Sequence, residues 1–182
     1  MKFILASKSP RRYELLKSAG YDFDVFPPCG EEVVDSNLPV ADVPKAIALC
    51  KAKEVFEKTG KITLAADTIV VLDGIILGKP KDKNENITFL RSLSGKTHTV
   101  YTGYAIIGGG YYINEVDDAK VSFNVLSDDL INDYVEKGIG LDKAGGYGIQ
   151  DGYPLVKKID GSFTCVMGLP MEKINEAIEE LK

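Results

Sequence analysis

Two adjacent arginines, Arg11 and Arg12, stand directly after Ser9 and Pro10, at the end of the stretch I-L-A-S-K-S-P-R-R that begins at Ile4. Leu15, Leu16 and Ala19 then recur at helical spacing. This pattern predicts a buried strand, a sharp turn, and a helix with Ser9 as N-cap and Pro10 at its first position. Both guanidinium groups then fall in the first turn, where the helix dipole disfavours cations unless an anion is brought there. A phosphate is the ligand that two such forks beside a helix N-terminus would suit. A plain strand-turn-helix with two solvated arginines accounts for the same residues equally well, so the decision falls to the rest of the chain.

Asp67 is a single carboxylate inside the apolar run A-A-D-T-I-V (Ala65 to Val70). A buried Asp is costly unless it is paired, hydrogen-bonded or bound to metal, which favours a general base or metal ligand over a structural side chain. Lys79, set against Pro80, adds a cation that alone would pass for a solvated loop lysine. In D-K-A-G-G-Y-G-I-Q (Asp142 to Gln150) the glycines let backbone approach a ligand, and Gln150 offers an acceptor and donors for the edge of a base. A flexible loop is the bland alternative there. Ser94-Gly95-Lys96-Thr97 imitates the end of a P-loop, but Leu90 stands where the required glycine belongs and a β run follows, so that motif is rejected. His98, the only histidine, excludes His-rich metal sites and makes a Ser-His-Asp triad implausible; a hydrogen-bonded strand histidine fits better. Arginines at a helix start, scattered lysines and several acids, with no nucleophile-base pair, suit phosphoryl chemistry on a small anionic substrate with divalent metal and activated water.

The elements that position these residues alternate along the chain. Phe23 to Phe26 reads as a short strand and Pro27 to Pro39 as a polar loop carrying Glu31 and Glu32. Pro44 to Thr59 is predicted helical, with Ile47, Cys50 and Val55 toward the core and Gly60 as its stop. Ile62 to Leu72, Asp73-Gly74 and Ile75 to Leu77 form a hairpin signal. Asp82-x-x-Glu85 resembles a capping box, opening a helix with Ile87, Leu90 and Leu93 on one face. Two long β runs, Thr97 to Ile107 and Tyr111 to Phe123, flank three glycines. Ser127 caps a helix bearing Leu130, Ile131, Tyr134 and Val135, a hairpin is expected to turn at Asp160-Gly161, and Pro170 to Leu181 is an amphipathic helix. Helices interspersed with hairpin-linked and helix-linked strands indicate an α/β (mixed α+β) fold with a mixed twisted sheet. At 182 residues and 45% hydrophobic content the chain can bury its core as one domain, 1–182, or as two small lobes sharing one sheet. A net charge of −5 argues against nucleic acid or anionic membrane as partner, and no apolar run approaches a membrane span or a signal h-region. Three scattered cysteines with no C-x-x-C pair point to a reduced, cytoplasmic setting.

Six motifs in order carry a resemblance. They are A-S-x-S-P-R-R (Ala6 to Arg12), A-D-T-I-V (Ala66 to Val70), K-P (Lys79, Pro80), L-S-G-x-T-H (Leu93 to His98), D-K-A-G-x-Y-G-I-Q (Asp142 to Gln150) and V-x-G-L-P (Val166 to Pro170). Together they span essentially the whole chain and resemble the Maf family of nucleoside triphosphate pyrophosphatases, once linked to septum formation. The resemblance implies an elongated, inosine-triphosphatase-like fold with two lobes around a cleft. It also implies hydrolysis of a nucleoside triphosphate to monophosphate and pyrophosphate with Mg²⁺ or Mn²⁺. Asp67 matches the family's proton acceptor. Arg11, Thr68 and Gln150 match the positions marking the dTTP/UTP branch. Ser7, Arg12, Glu31, Lys53 and Lys79 resemble further cleft residues, with Ser7, Arg12, Lys53 and Lys79 on phosphates and Glu31 beside Asp67 at the metal. Gly78 stands where a larger residue often precedes Lys-Pro. Pairing into a homodimer is common in the family. The rival reading is a nucleotide-binding regulator of cell division that hydrolyses little.

Overall fold

A computed structural model of the chain describes residues 2–30 and 37–180. Glu31 and Glu32, and the end of the last predicted helix at Leu181, lie outside the described residues. Among the described residues seven strands form one mixed sheet, hydrogen-bonded in the order β2-β1-β3-β5-β6-β7, with β4 pairing β3. They are β1 (Phe3–Ala6), β2 (Phe23–Val25), β3 (Thr63–Leu72), β4 (Ile75–Leu77), β5 (Thr97–Gly108), β6 (Tyr111–Phe123) and β7 (Val156–Gly161). The described residues also form six helices: α1 (Pro10–Ser18), α2 (Val43–Thr59), α3 (Lys83–Leu93), α4 (Asp128–Glu136), α5 (Phe163–Met167) and α6 (Met171–Glu179). The chain divides into two compact units, residues 1–68, 102–117 and 168–182 in the first and 69–101 and 118–167 in the second, so β3, β5 and β6 contribute to both.

In the first unit β1 runs parallel to both β2 and β3, with Ile4 opposite Thr63 and Ala6 opposite Ala65. Parallel strands are covered on both faces, and the side-chain period of two divides the residues between them. Phe3, Leu5, Leu64, Ala66, Tyr104 and Ile106 pack with Leu16 of α1 and Ile174 and Ile178 of α6. Ile4, Ala6, Ala65, Ala105 and Ile107 pack instead with Ala48, Ala52 and Val55 of α2. The start of α2 lies so close to β5 at Gly103 that an added Cβ would meet the Pro44 carbonyl oxygen at 2.4 Å, so only glycine fits there.

In the second unit β3 turns back into β4 through Asp73 (φ 51°) and Gly74 (φ 80°). Two positive φ values are what a two-residue hairpin turn with the right twist demands. The core gathers Val70, Leu72, Leu90, Leu93, Val121, Phe123, Ile131, Tyr134 and Leu155. Asp82 caps α3 by accepting from the Glu85 amide at 2.9 Å. Glu85 does not close the box, because its carboxylate accepts from the Lys81 amide at 2.6 Å instead. Asp160-Gly161 is not a hairpin turn. The two residues are the last of β7, paired antiparallel with Lys120 and Ala119, and Ser162 then starts α5 by accepting from the Cys165 amide. Gly161 is needed for contact with β6 rather than for a turn, since a Cβ there would meet the Ala119 Cα at 2.9 Å.

His98 is a hydrogen-bonded strand residue, 2% exposed, with Nε2 2.6 Å from the Tyr147 hydroxyl and its ring edge-on to Phe123 and Tyr147. Burial lowers its pKa to about 4 and holds the Tyr147 phenol above its ordinary range. The folded state therefore binds this proton less readily than the unfolded chain does. The stability due to neutral His98 is complete above the unfolded pKa of about 6.5 and is lost as pH falls toward 4, by up to roughly 3 kcal/mol. Urea unfolding at pH 7 and pH 4.5 should show this loss in the wild type and less of it in His98→Gln; equal slopes would refute it.

Candidate functional site

The described part of the site grows from the alternation of β3. Over the first half of the strand Leu64 and Ala66 pack with α1 and α6, and Ala65 packs with α2. Asp67 and Thr68, adjacent in sequence, therefore answer to different helices. On one side, Lys51 of α2 places Nζ 2.6 Å from the Asp67 carboxylate, with the two side chains only 15% and 14% exposed. A charge this sheltered needs a partner, and the pair supplies one for each member.

On the other side, the Arg12 guanidinium spreads over three acceptors. Nε donates to the Gly168 carbonyl at 2.7 Å, Nη1 to Ser7 Oγ at 3.3 Å and Nη2 to Thr68 Oγ1 at 3.1 Å. Thr68 Oγ1 is also 2.9 Å from Thr102 Oγ1 on β5. The planar fork of arginine matches such divergent partners, whereas the ammonium of a lysine would not. Ser9 caps α1 as expected, accepting from the Arg12 amide, and Ser7 Oγ accepts from the Ser9 amide. Arg12 thereby ties the first turn of α1 to β3 and to the segment before α6, with Arg11 half-buried beside it.

Lys51 was not singled out in the sequence, where Lys53, two residues on, is the lysine expected at the phosphates. Ile47, Lys51 and Val55 share one face of α2, Ile47 and Val55 are buried, and Lys51 is the residue aimed at the sheet. Lys53 is exposed, and so is Cys50, contrary to its expected core position. The missed signal was a lysine inside the helix's own apolar stripe at i, i+4, i+8. On the next turn, Glu54 receives Lys58 Nζ at 2.5 Å and the amides of Cys29 and Gly30 at 2.9 and 3.0 Å, contacts that hold its carboxyl at about 2. It anchors the chain immediately before Glu31.

Lys79 and Gln150 belong to the second unit, and both are exposed. The Gly-rich segment is held from within that unit. Asn86, wholly buried, donates to the Gly146 carbonyl at 2.8 Å, and the Gly145 amide donates to Gly78 O at 3.0 Å.

Residues 2–181 match the family model of the Maf-like proteins. The chain belongs to this family. A dTTP/UTP pyrophosphatase of Thermus thermophilus is 47% identical over 173 residues, covering 94% of this chain and 90% of the relative. A dTTP/UTP pyrophosphatase of Thermosipho africanus is 46% identical over 177 residues, covering 96% and 90%. The solved structure of a HAM1 protein from Coxiella burnetii is similar at a TM-score of 0.57 and 14% identity, covering 99% of each chain, which establishes the shared fold. The expected mixed α/β architecture of a Maf-like chain is thus borne out. No helix among the described residues is long and apolar enough to cross a membrane.

Proposed function

We propose that this Maf-like chain is a cytoplasmic dTTP/UTP pyrophosphatase, releasing pyrophosphate from the triphosphate and leaving the monophosphate. The carrying observation is the Lys51–Asp67 pair, a sheltered carboxylate held in one orientation on a strand whose next residue is gripped by Arg12. Relatives sharing nearly half of its residues over nearly its whole length bear that activity as their name. Asp67 takes the proton from the attacking water, and Lys51 keeps the carboxylate aimed. Arg11, Arg12, Lys53 and Lys79 are the proposed cations for the triphosphate, and Arg11, Thr68 and Gln150 the residues that read the base.

Asp67 is a hard oxygen donor, and Mg²⁺ is commonly held by one or two carboxylates together with substrate phosphates, so the side chain fits the divalent cation the resemblance implies. Asp67 and Glu31 would hold it, and the ion supplies electrostatic stabilisation of the departing pyrophosphate when bound. Among the described residues no group of three or more His, Cys, Asp or Glu side chains is arranged to cage a metal. EDTA should therefore stop turnover while leaving circular dichroism and melting temperature unchanged, and added Mg²⁺ or Mn²⁺ should restore it. Full turnover in EDTA, or unfolding by it, would contradict this assignment.

A panel of UTP, dTTP, CTP, GTP and ATP, followed by release of monophosphate and pyrophosphate, tests the function itself. Turnover led by UTP and dTTP is expected. Tight nucleotide binding without hydrolysis would overturn the enzyme reading in favour of a regulator.

A further inference from the structure

Gln150 sits in a β-turn whose two ends meet one phenol. The Asp151 amide donates to the Gly148 carbonyl at 3.3 Å, which makes Ile149 and Gln150 the central residues of the turn. Tyr134 of α4 reaches it from beneath. Its hydroxyl accepts from the Gly148 amide at 3.1 Å and donates to Asp151 Oδ2 at 2.6 Å. The carboxylate folds back so tightly that a Cβ at Gly148 would meet Asp151 Oδ2 at 2.6 Å. Lys143 lies 3.4 Å from the same oxygen, with both side chains 10% exposed, and also donates to Ile139 O and Asp142. Burial and the Asp151 contact keep the Tyr134 phenol above its usual range, so the hydroxyl retains the proton it donates. None of these groups is needed for proton transfer at Asp67. All of them converge on four residues, of which the exposed one is the proposed base reader.

We propose that Tyr134 is a positioning residue for base recognition, its hydroxyl clamping the turn Gly148–Asp151 so that Gln150 is presented in one orientation. The inference rests on the reading of Gln150 as the residue that recognises the pyrimidine edge. A side chain on a two-residue turn loses orientation when the turn opens, and a pre-set amide discriminates between bases better than a mobile one. Tyr134→Phe deletes both hydrogen bonds and keeps the ring, which packs edge-on to Tyr153 at 5.0 Å.

The experiment measures kcat and KM for UTP, CTP and GTP in the full chain. Tyr134→Phe should raise the KM for UTP about tenfold, with kcat within about twofold, and lower the preference for UTP about tenfold. Gln150→Ala should lower that preference at least as far, and adding Tyr134→Phe to it should lower it no further, since the clamp acts through Gln150. Asp151→Ala opens the turn from its other end and reports on the clamp if Tyr134→Phe does not fold. Asp151→Asn, which keeps an acceptor for the hydroxyl, should restore most of the preference lost in Asp151→Ala. A folded Tyr134→Phe with wild-type preference, while Gln150→Ala loses it, overturns the clamp and leaves the base reading standing. Unchanged preference in Gln150→Ala overturns the base reading and the clamp with it.

Discussion

Asp67→Asn is expected to fold and to lose on the order of 10²–10⁴ in kcat, the usual contribution of a general base. The swap is nearly isosteric, and an amide oxygen can still accept from Lys51, whose Nζ lies 2.6 Å from the carboxylate in the native pair. An amide cannot take a proton from water at neutral pH and is a poor ligand for a hard cation. The stability change should stay near 1–2 kcal/mol, because the lysine loses a counter-charge but keeps a hydrogen bond. Turnover of UTP and circular dichroism on the same sample decide the matter. A folded Asp67→Asn turning over near the wild-type rate removes Asp67 from the chemistry.

Lys51→Met should act on stability and on chemistry together. Methionine fills the aliphatic path of the lysine but leaves Asp67 as a carboxylate only 14% exposed with its nearest cation gone. Breaking a fully buried pair from one side costs about 3–5 kcal/mol, and the residual exposure here brings the expected loss to about 1–3 kcal/mol. A carboxylate that has lost the ammonium orienting it should also serve less well as the base, so turnover of UTP should fall. Adding Asp67→Asn to Lys51→Met should recover much of the stability and none of the activity, since the double variant carries neither charge of the pair. Chemical unfolding and kcat for UTP check both halves. Wild-type stability with wild-type turnover would mean that the pair is incidental.

The sheet and most helix boundaries were legible because they depend on local signals. Ser9, Asp82 and Ser127 each cap the helix they were expected to cap. Asp73-Gly74 makes the turn its two positive φ values require. The carboxylate in an apolar strand stood out because it broke a pattern. What escaped were side chains that obey their local pattern and find partners far along the chain. Lys51 is hidden in α2 because the residues around it are mostly apolar, and the stripe that points Cys50 inward is not the one the fold buries. Tyr134 lies in the helix expected after Ser127, but nothing near it in sequence reveals that its hydroxyl reaches Gly148 and Asp151, 14 and 17 positions away. Asp160-Gly161 carries a turn signature, yet pairing with β6 overrides it. Local chemistry proposes such elements, and long-range strand contacts decide among them.

The opposite facing of Asp67 and Thr68 makes this site tolerant in one way and brittle in another. Arg12 of α1 grips Thr68 and Lys51 of α2 grips Asp67, so a change on either helix is read first by its own neighbour on the strand. Length is a different matter. Deleting one residue of β3 ahead of Asp67 would reverse the strand's parity, sending the carboxylate toward Arg12 and the hydroxyl toward Lys51. Insertions and deletions that diversify relatives of this chain should therefore collect in its loops and be purged from the five residues that lead from Thr63 to Asp67.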